Sequence, residues 1–206
     1  MSQIEKITAS ISAALVITFF VSICSFGSEC AEVRENVVRL HILANSDRES
    51  DQQVKLAVRD ALLESGEELF SGSVNTENAA QALEHGREKL TAAADEILER
   101  NGKSYTSDVI LTEEYFPTRS YEGFTMPAGK YLAVKVILGK GEGHNWWCVM
   151  YPPLCLPAAT DRENAEAILG EDGVRLISSE GYEIRFKLIE IYENIKNKCA
   201  EKKFNI

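Results

Sequence analysis

Gly143-His144-Asn145-Trp146-Trp147-Cys148-Val149-Met150-Tyr151-Pro152-Pro153-Leu154-Cys155 concentrates chemistry that is sparse in the rest of the chain. It holds both tryptophans, two of five cysteines, two of five prolines and one of three histidines. Each Trp or Tyr needs an apolar bed and a polar partner, so the run must be buried against something. Pro152 and Pro153 fix φ twice and drive Tyr151 towards extended geometry. The expectation is a stiff, extended loop, with Trp147 to Tyr151 able to form a short strand. Glycines at 139, 141 and 143 let the segment leave a preceding strand at a sharp angle.

Three chemical readings stand for this stretch. His144 and Cys148 have the types of a base and a nucleophile, because an imidazole beside a thiol favours the thiolate. Nothing within the stretch orients that histidine, however. The preferred reading is a disulfide between Cys148 and Cys155 around the diproline turn; a ring of about eight residues removes roughly 2.5 kcal/mol of unfolded-state entropy. Free structural thiols are the third. Zinc is poorly served, because Cys148 and Cys155 with His144 or His41 lack the close ligand pairs of structural sites.

Working outward, 206 residues with 45% hydrophobic side chains suit one domain plus an appendage. The appendage, residues 1–30, is an N-terminal signal peptide or membrane anchor; residues 31–206 form the domain behind it. Residues 8–26 carry no charge and are near the length needed to span a bilayer. Lys6 leads the segment, and Glu29, Glu32 and Glu35 trail it, so the body is expected outside the cytoplasm. Ser25-Phe26-Gly27 and Ser28-Glu29-Cys30 both resemble peptidase sites without a clean Ala-x-Ala, and Ile23 before Cys24 and Glu29 before Cys30 disfavour a lipoprotein. Outside the cytoplasm a disulfide persists.

Residues 35–44 alternate as a strand, with Arg39 and His41 against Val38, Leu40 and Ile42. Asn45-Ser46-Asp47 is a turn, and Ser50 with Gln53 fits a capping box opening a helix over 51–63. Val54, Val58, Ala61 and Leu62 form its apolar face, widened by Leu56 and Leu63. His41 reads as a half-exposed strand histidine before it reads as catalytic, and Arg59-Asp60 as a solvated helix edge. A second helix over 76–100 carries Ala79, Ala82, Leu83, Leu90, Ala94, Ile97 and Leu98, stopped by Asn101-Gly102. Strands follow over 109–116 and 130–138, joined by a long hairpin arm. An acidic stretch over 161–172 suggests a short helix. The C-terminal helix, 182–195, shows Ile184, Leu188, Ile191 and Ile195 as its stripe. This order predicts an α+β fold: a mostly antiparallel sheet covered by helices.

A net charge of −10 and a pI near 4.9 argue against nucleic acid and anionic lipid as partners. There is no phosphate-cradling glycine loop, and neither a cofactor nor a small-molecule substrate is expected. An acidic exported domain with a rigid aromatic segment suits protein recognition, since Trp, Tyr and Met carry binding energy at interfaces. Adjacent residues of an extended segment point to opposite sides, so one tryptophan is expected in the core and its neighbour at a contact. His144, Asn145, Trp146, Trp147, Tyr151, Pro152 and Pro153 are the candidate contact residues.

Leu40-His41-Ile42-Leu43-Ala44-Asn45-Ser46-Asp47, Asp51-Gln52, Lys55 with Val58-Arg59-Asp60, and Gly143 to Val149 with Pro152-Pro153-Leu154-Cys155 together resemble stage II sporulation protein R of endospore-forming Firmicutes. The motif residues His41, Asn45, Asp47, Arg59 and Asp60 belong to that resemblance, which covers most of the exported body. It implies a signalling protein made in the forespore and exported between the two septal membranes. There it triggers a membrane-embedded aspartic protease of the mother cell, which processes a sigma-factor precursor. The family brings no catalytic residues. The rival reading is an exported thiol hydrolase or redox enzyme built on Cys148, His144 and His41.

Overall fold

The structure, a computed structural model, describes residues 2–70, 76–152, 154, 162–178 and 182–204. Helix α1 (Gln3–Glu35) leads into strand β1 (Val38–Leu43). Two antiparallel-sheet strands, β2 (Ser107–Phe116) and β5 (Gly129–Leu138), follow helices α2 (Glu49–Phe70) and α3 (Thr76–Arg100). Between them a hairpin arm is formed by β3 (Arg119–Tyr121) and β4 (Phe124–Met126). Strand β6 (Asn145–Tyr151) and helices α4 (Arg162–Ser178), kinked at Gly170, and α5 (Glu183–Phe204) complete the order.

The main sheet runs β2-β5-β1-β6. β1 is parallel to β5, while β2–β5 and β1–β6 are antiparallel, so the fold is α+β with a mixed, mostly antiparallel sheet. The parallel pair arises because α2 and α3 carry the chain away from β1 before β2 and the hairpin arm return it to β5.

Side chains alternate across the sheet, and each face has its own core. On the first face Leu40, Ile42, Val134, Val136, Leu138 and Met150 pack against Val54, Val58 and Leu62 of α2 and Leu83, Leu90 and Leu98 of α3. On the second, Tyr131, Ala133, Phe116 and Val149 meet Phe26, Cys30 and Val33 of α1, Leu169 and Ile177 of α4, and Phe186 and Ile189 of α5. Burial, against a lesser opposing pull from Arg34, pushes the Cys30 thiol up to about 12.

Several expectations are corrected. The extended loop at 143–155 is a sheet strand over its first half, because β1 offers it a hydrogen-bonding edge; Pro153 and Cys155 lie outside the described residues. The Tyr151–Pro152 peptide is cis. Ser50 does not cap α2: the helix starts at Glu49, Gln52 N–H donates to Arg48 O, and Gln53 Nε2 donates to Glu49. Leu56 is solvent-facing. In α5 the stripe Ile184, Leu188, Ile191 and Ile195 is exposed; Phe186 and Ile189 are the buried residues, because they meet Phe26 and Gly27 of α1.

Candidate functional site

Two segments distant in sequence, 40–47 and 143–148, lie side by side. The register pairs Leu43 with Asn145, Ile42 with Trp146, His41 with Trp147 and Leu40 with Cys148. Gly143 N–H donates to Ala44 O at 2.8 Å. The approach is so close that a Cβ at Gly143 would lie 2.4 Å from the carbonyl oxygen of Ser46, which explains the glycine.

At this junction His144 Nδ1 forms a short hydrogen bond with the Asp47 carboxylate, which also accepts the His144 backbone N–H at 2.7 Å. Those bonds, backbone first, hold the Asp47 carboxyl below its ordinary value. His144 therefore has an orienting carboxylate after all, supplied by the other segment. The pair is exposed, the His144 side chain at 78%. Lys55 Nζ reaches from α2 to the His144 carbonyl (2.9 Å) and to Gln52 Oε1 (2.6 Å), and Gln52 Nε2 donates to Ser46 O.

Beneath lies a polar knot around Asp51, which is only 4% exposed. Asn45 Nδ2 (2.8 Å) and Ser46 Oγ (2.6 Å) donate to one carboxylate oxygen; Lys103 Nζ (2.7 Å) and Tyr105 OH (2.9 Å) donate to the other. Burial alone would push this carboxyl up, but Lys103, Ser46, Asn45 and Tyr105 together hold it well below the carboxylate range. Asn45 Oδ1 accepts Lys140 N–H, tying in the turn after β5.

The two tryptophans face opposite sides of the sheet, as an extended segment requires, and both are half-buried. Trp146 packs on the first core with Arg59 4.6 Å over its ring. Arg59 is therefore more than a solvated edge; it also pairs with exposed Asp60 at 2.7 Å. Trp147 stacks on His41 (3.8 Å between centroids, 11° between planes) and meets Phe116 edge-on at 4.8 Å. His41 is buried, not half-exposed, because Trp147 covers it; its Nδ1 meets Glu114 at 2.9 Å, and Glu114 pairs with Lys135 at 3.0 Å. Beside it Arg39 is fully buried, donating to Cys148 O (2.9 Å) and Tyr121 OH (2.7 Å) and lying 4.4 Å over Phe116.

Cys148 points into the first core at 1% exposure, whereas His144 faces solvent. The thiol and imidazole do not share a cleft, so the base–nucleophile reading loses its geometry. Cys24, Cys30 and Cys199 are free thiols, and Cys148 is not among them. Among the described residues no group of three His, Cys, Asp or Glu is placed to hold a metal ion. Two grooves of about 540 and 520 Å³ lie elsewhere, at Arg34–Glu193–Lys130 and under the hairpin arm.

Sequence reasoning named Asp51 and Lys55 without a role and did not connect Lys103, Tyr105 or Glu114 to the site. Their signal was charge where periodicity demands burial: Asp51 and Lys55 share the α2 face of Val54, Val58 and Leu62.

The family model described as stage II sporulation protein R matches residues 34–161. A curated relative, "Stage II sporulation protein R" of Bacillus subtilis (strain 168), is 36% identical over 136 residues, 66% of this chain. The chain spans 59% of that relative's length. No solved structure matches.

Proposed function

Because the chain belongs to the stage II sporulation protein R family, and is thus a sporulation protein, we propose that it acts as an intercellular signal. It is exported from the forespore into the intermembrane space of the septum and there activates the membrane-embedded aspartic protease that processes the mother-cell sigma-factor precursor. The observation that carries the recognition role is the convergence of both motif segments on one exposed corner, His144–Asp47, flanked by Asn145, Trp146, Arg59 and Asp60. Such a corner offers rigid aromatic and charged groups already held in place, the composition of interface hot spots. Export is supported by α1, whose N-terminal part is long and apolar enough to cross a membrane, with a mean hydropathy of 2.2.

The role is a ligand's and not an enzyme's. Cys148, the nucleophile that the rival reading needs, is buried in the first core. We assign Cys148 to a disulfide with Cys155, consistent with its absence from the free thiols.

Reconstitution tests the reading. The chain, the candidate protease and its precursor are co-expressed in a host lacking all three. Precursor cleavage is expected only when this chain is present and exported. Cleavage that is indifferent to the chain, or undiminished when residues 2–26 are deleted, overturns the proposal.

A further inference from the structure

We propose that Lys55 is a positioning residue: its buried ammonium holds the His144 peptide so that the exposed Asp47–His144 pair stands ready for a partner, at a cost to the stability of the fold. The inference rests on the proposed reading of that corner as the recognition surface.

Lys55 shares the buried face of α2 with Val54, Val58 and Leu62 and is only 4% exposed. Its ammonium donates to the His144 carbonyl at 2.9 Å and to Gln52 Oε1 at 2.6 Å. Gln52 passes the connection on, donating from Nε2 to Ser46 O at 3.0 Å. One side chain thus reaches the backbone of both motif segments, 143–148 directly and 40–47 through Gln52. On its amino side His144 is held by its own N–H to Asp47 and by the Gly143 N–H to Ala44 O. On its carboxyl side, just before the strand register begins at Asn145, Lys55 takes the carbonyl.

Stability does not explain a lysine at this position. Burial pulls the ammonium below its usual range, against the attraction of Asp47 and with added repulsion from Arg59. The neighbouring carboxylates are engaged by other cations: Asp51 by Lys103, Asp60 by Arg59 and Asp47 by His144. A buried charge whose bonds go to two carbonyl oxygens is a weak stabiliser. An apolar side chain of similar volume often serves the fold as well or better.

What an apolar chain lacks is direction, because an N–H donor fixes where its carbonyl lies. The corner needs that direction: the His144 side chain is 78% exposed, so packing does not place it. A contact group already held in place binds without the cost of ordering it. Lys55→Met separates the two roles. Methionine keeps an unbranched chain against Val54 and Val58 and removes every donor. A positioning lysine should lose the order of the corner and leave the fold as stable as before or more so. A structural lysine should lose both together.

The full chain carrying Lys55→Met is compared with the unsubstituted chain by thermal melting, by amide hydrogen exchange and by dose–response in the reconstituted cleavage assay. An unchanged or higher melting temperature is expected. Exchange at the Gly143 and His144 amides should be about tenfold faster or more, with core amides such as that of Leu62 unaltered. The dose for half-maximal cleavage should rise about three- to tenfold and reach the same plateau. In a His144→Ala background the same substitution should move the dose by less than about twofold, since the group it positions is gone. Failure to fold, a lower melting temperature or unchanged exchange at His144 overturns the proposal, as does an equal shift of dose in the His144→Ala background. Faster exchange at His144 with no shift of dose leaves Lys55 as the clamp of the corner and sinks instead the reading of that corner as the recognition surface.

Discussion

The two faces of the central sheet are built differently. The first is mainly aliphatic: Leu, Val and Ala of α2 and α3, helices that follow β1 directly in the chain, pack on strands β1, β5 and β6. The second is aromatic and cationic: Arg39, His41, Phe116, Tyr131 and Trp147 come from four strands. It is closed by helices from opposite ends of the chain, α1 with α4 and α5. Helical periodicity specifies the helical side of the first face. The second also needs helices from opposite ends of the chain to meet, so it should be the more fragile under substitution.

The largest effect expected on that comparison is Phe26→Ala. Truncating a fully buried phenylalanine costs about 3–5 kcal/mol. Thermal unfolding of the purified full chain in detergent reads it, with Leu62→Ala of the first face as reference at about 2–5 kcal/mol. A loss under about 1 kcal/mol for Phe26→Ala would show that α1 is an appendage and not part of the second core.

Next comes the proposed Cys148–Cys155 bridge, which would tie the first core to the chain beyond β6. Cys148→Ser and Cys155→Ser should each cost about 2–3 kcal/mol, and the double variant no more than either alone. Non-reducing mass analysis should find a linked peptide pair. Additive losses would mean there is no bridge.

How much was legible follows the same division. The α3 stripe and its Asn101-Gly102 stop are legible to the residue, because Gly102 takes φ +65° and Lys103 N–H closes on Leu98 O. The α2 helix runs on to Phe70, past the polar Glu64–Glu68 stretch that interrupts its apolar face, and there Gly66 lies close against Met150 of β6. In α5 two apolar stripes compete, and only contact with α1 selects Phe186 and Ile189 over Ile184 and Ile191. Nor does a sequence show that His144 finds Asp47, since their meeting depends on the β1–β6 register.

The knot at Asp51 joins the first face to the motif corner and gives a pH test. Its folded carboxyl lies below the unfolded value of about 3.9. It therefore stabilises the fold above about pH 4, and that contribution is lost as pH falls towards the folded value. Acid unfolding should steepen below pH 4, and Asp51→Asn should flatten that limb while costing about 1.5–3 kcal/mol at neutral pH. An unchanged acid limb in the variant would remove Asp51 from the account.

The tryptophans sharpen the comparison within one strand. Trp147→Ala strips the cover from His41 and an edge contact from Phe116, so it should lower stability by about 2–3 kcal/mol, below the full-burial range because the ring is half-buried. Trp146→Ala leaves the second face intact and should instead raise the dose needed for protease activation, by about 2 kcal/mol or more of affinity. Melting curves and dose–response curves on the same samples separate the two. If both variants lose stability alone, the corner is core and recognition lies elsewhere.

The smallest effect expected is His144→Asn, and it is the one that separates ligand from enzyme. Asparagine keeps a hydrogen-bonding side chain near Asp47 but cannot shuttle a proton. General-base catalysis is worth roughly 10²–10⁴-fold, so a catalytic histidine would lose activity that no dose restores. A contact histidine loses what one hydrogen bond contributes, about 0.5–1.5 kcal/mol, at most around tenfold in the dose for half-maximal cleavage. The exposed position limits any cost to the fold, which a melting curve checks. A dose–response curve that shifts by tenfold or less and reaches the same plateau supports recognition. A plateau near zero in a folded variant, with Trp146→Ala normal, would turn the Asp47–His144 pair into a catalytic dyad.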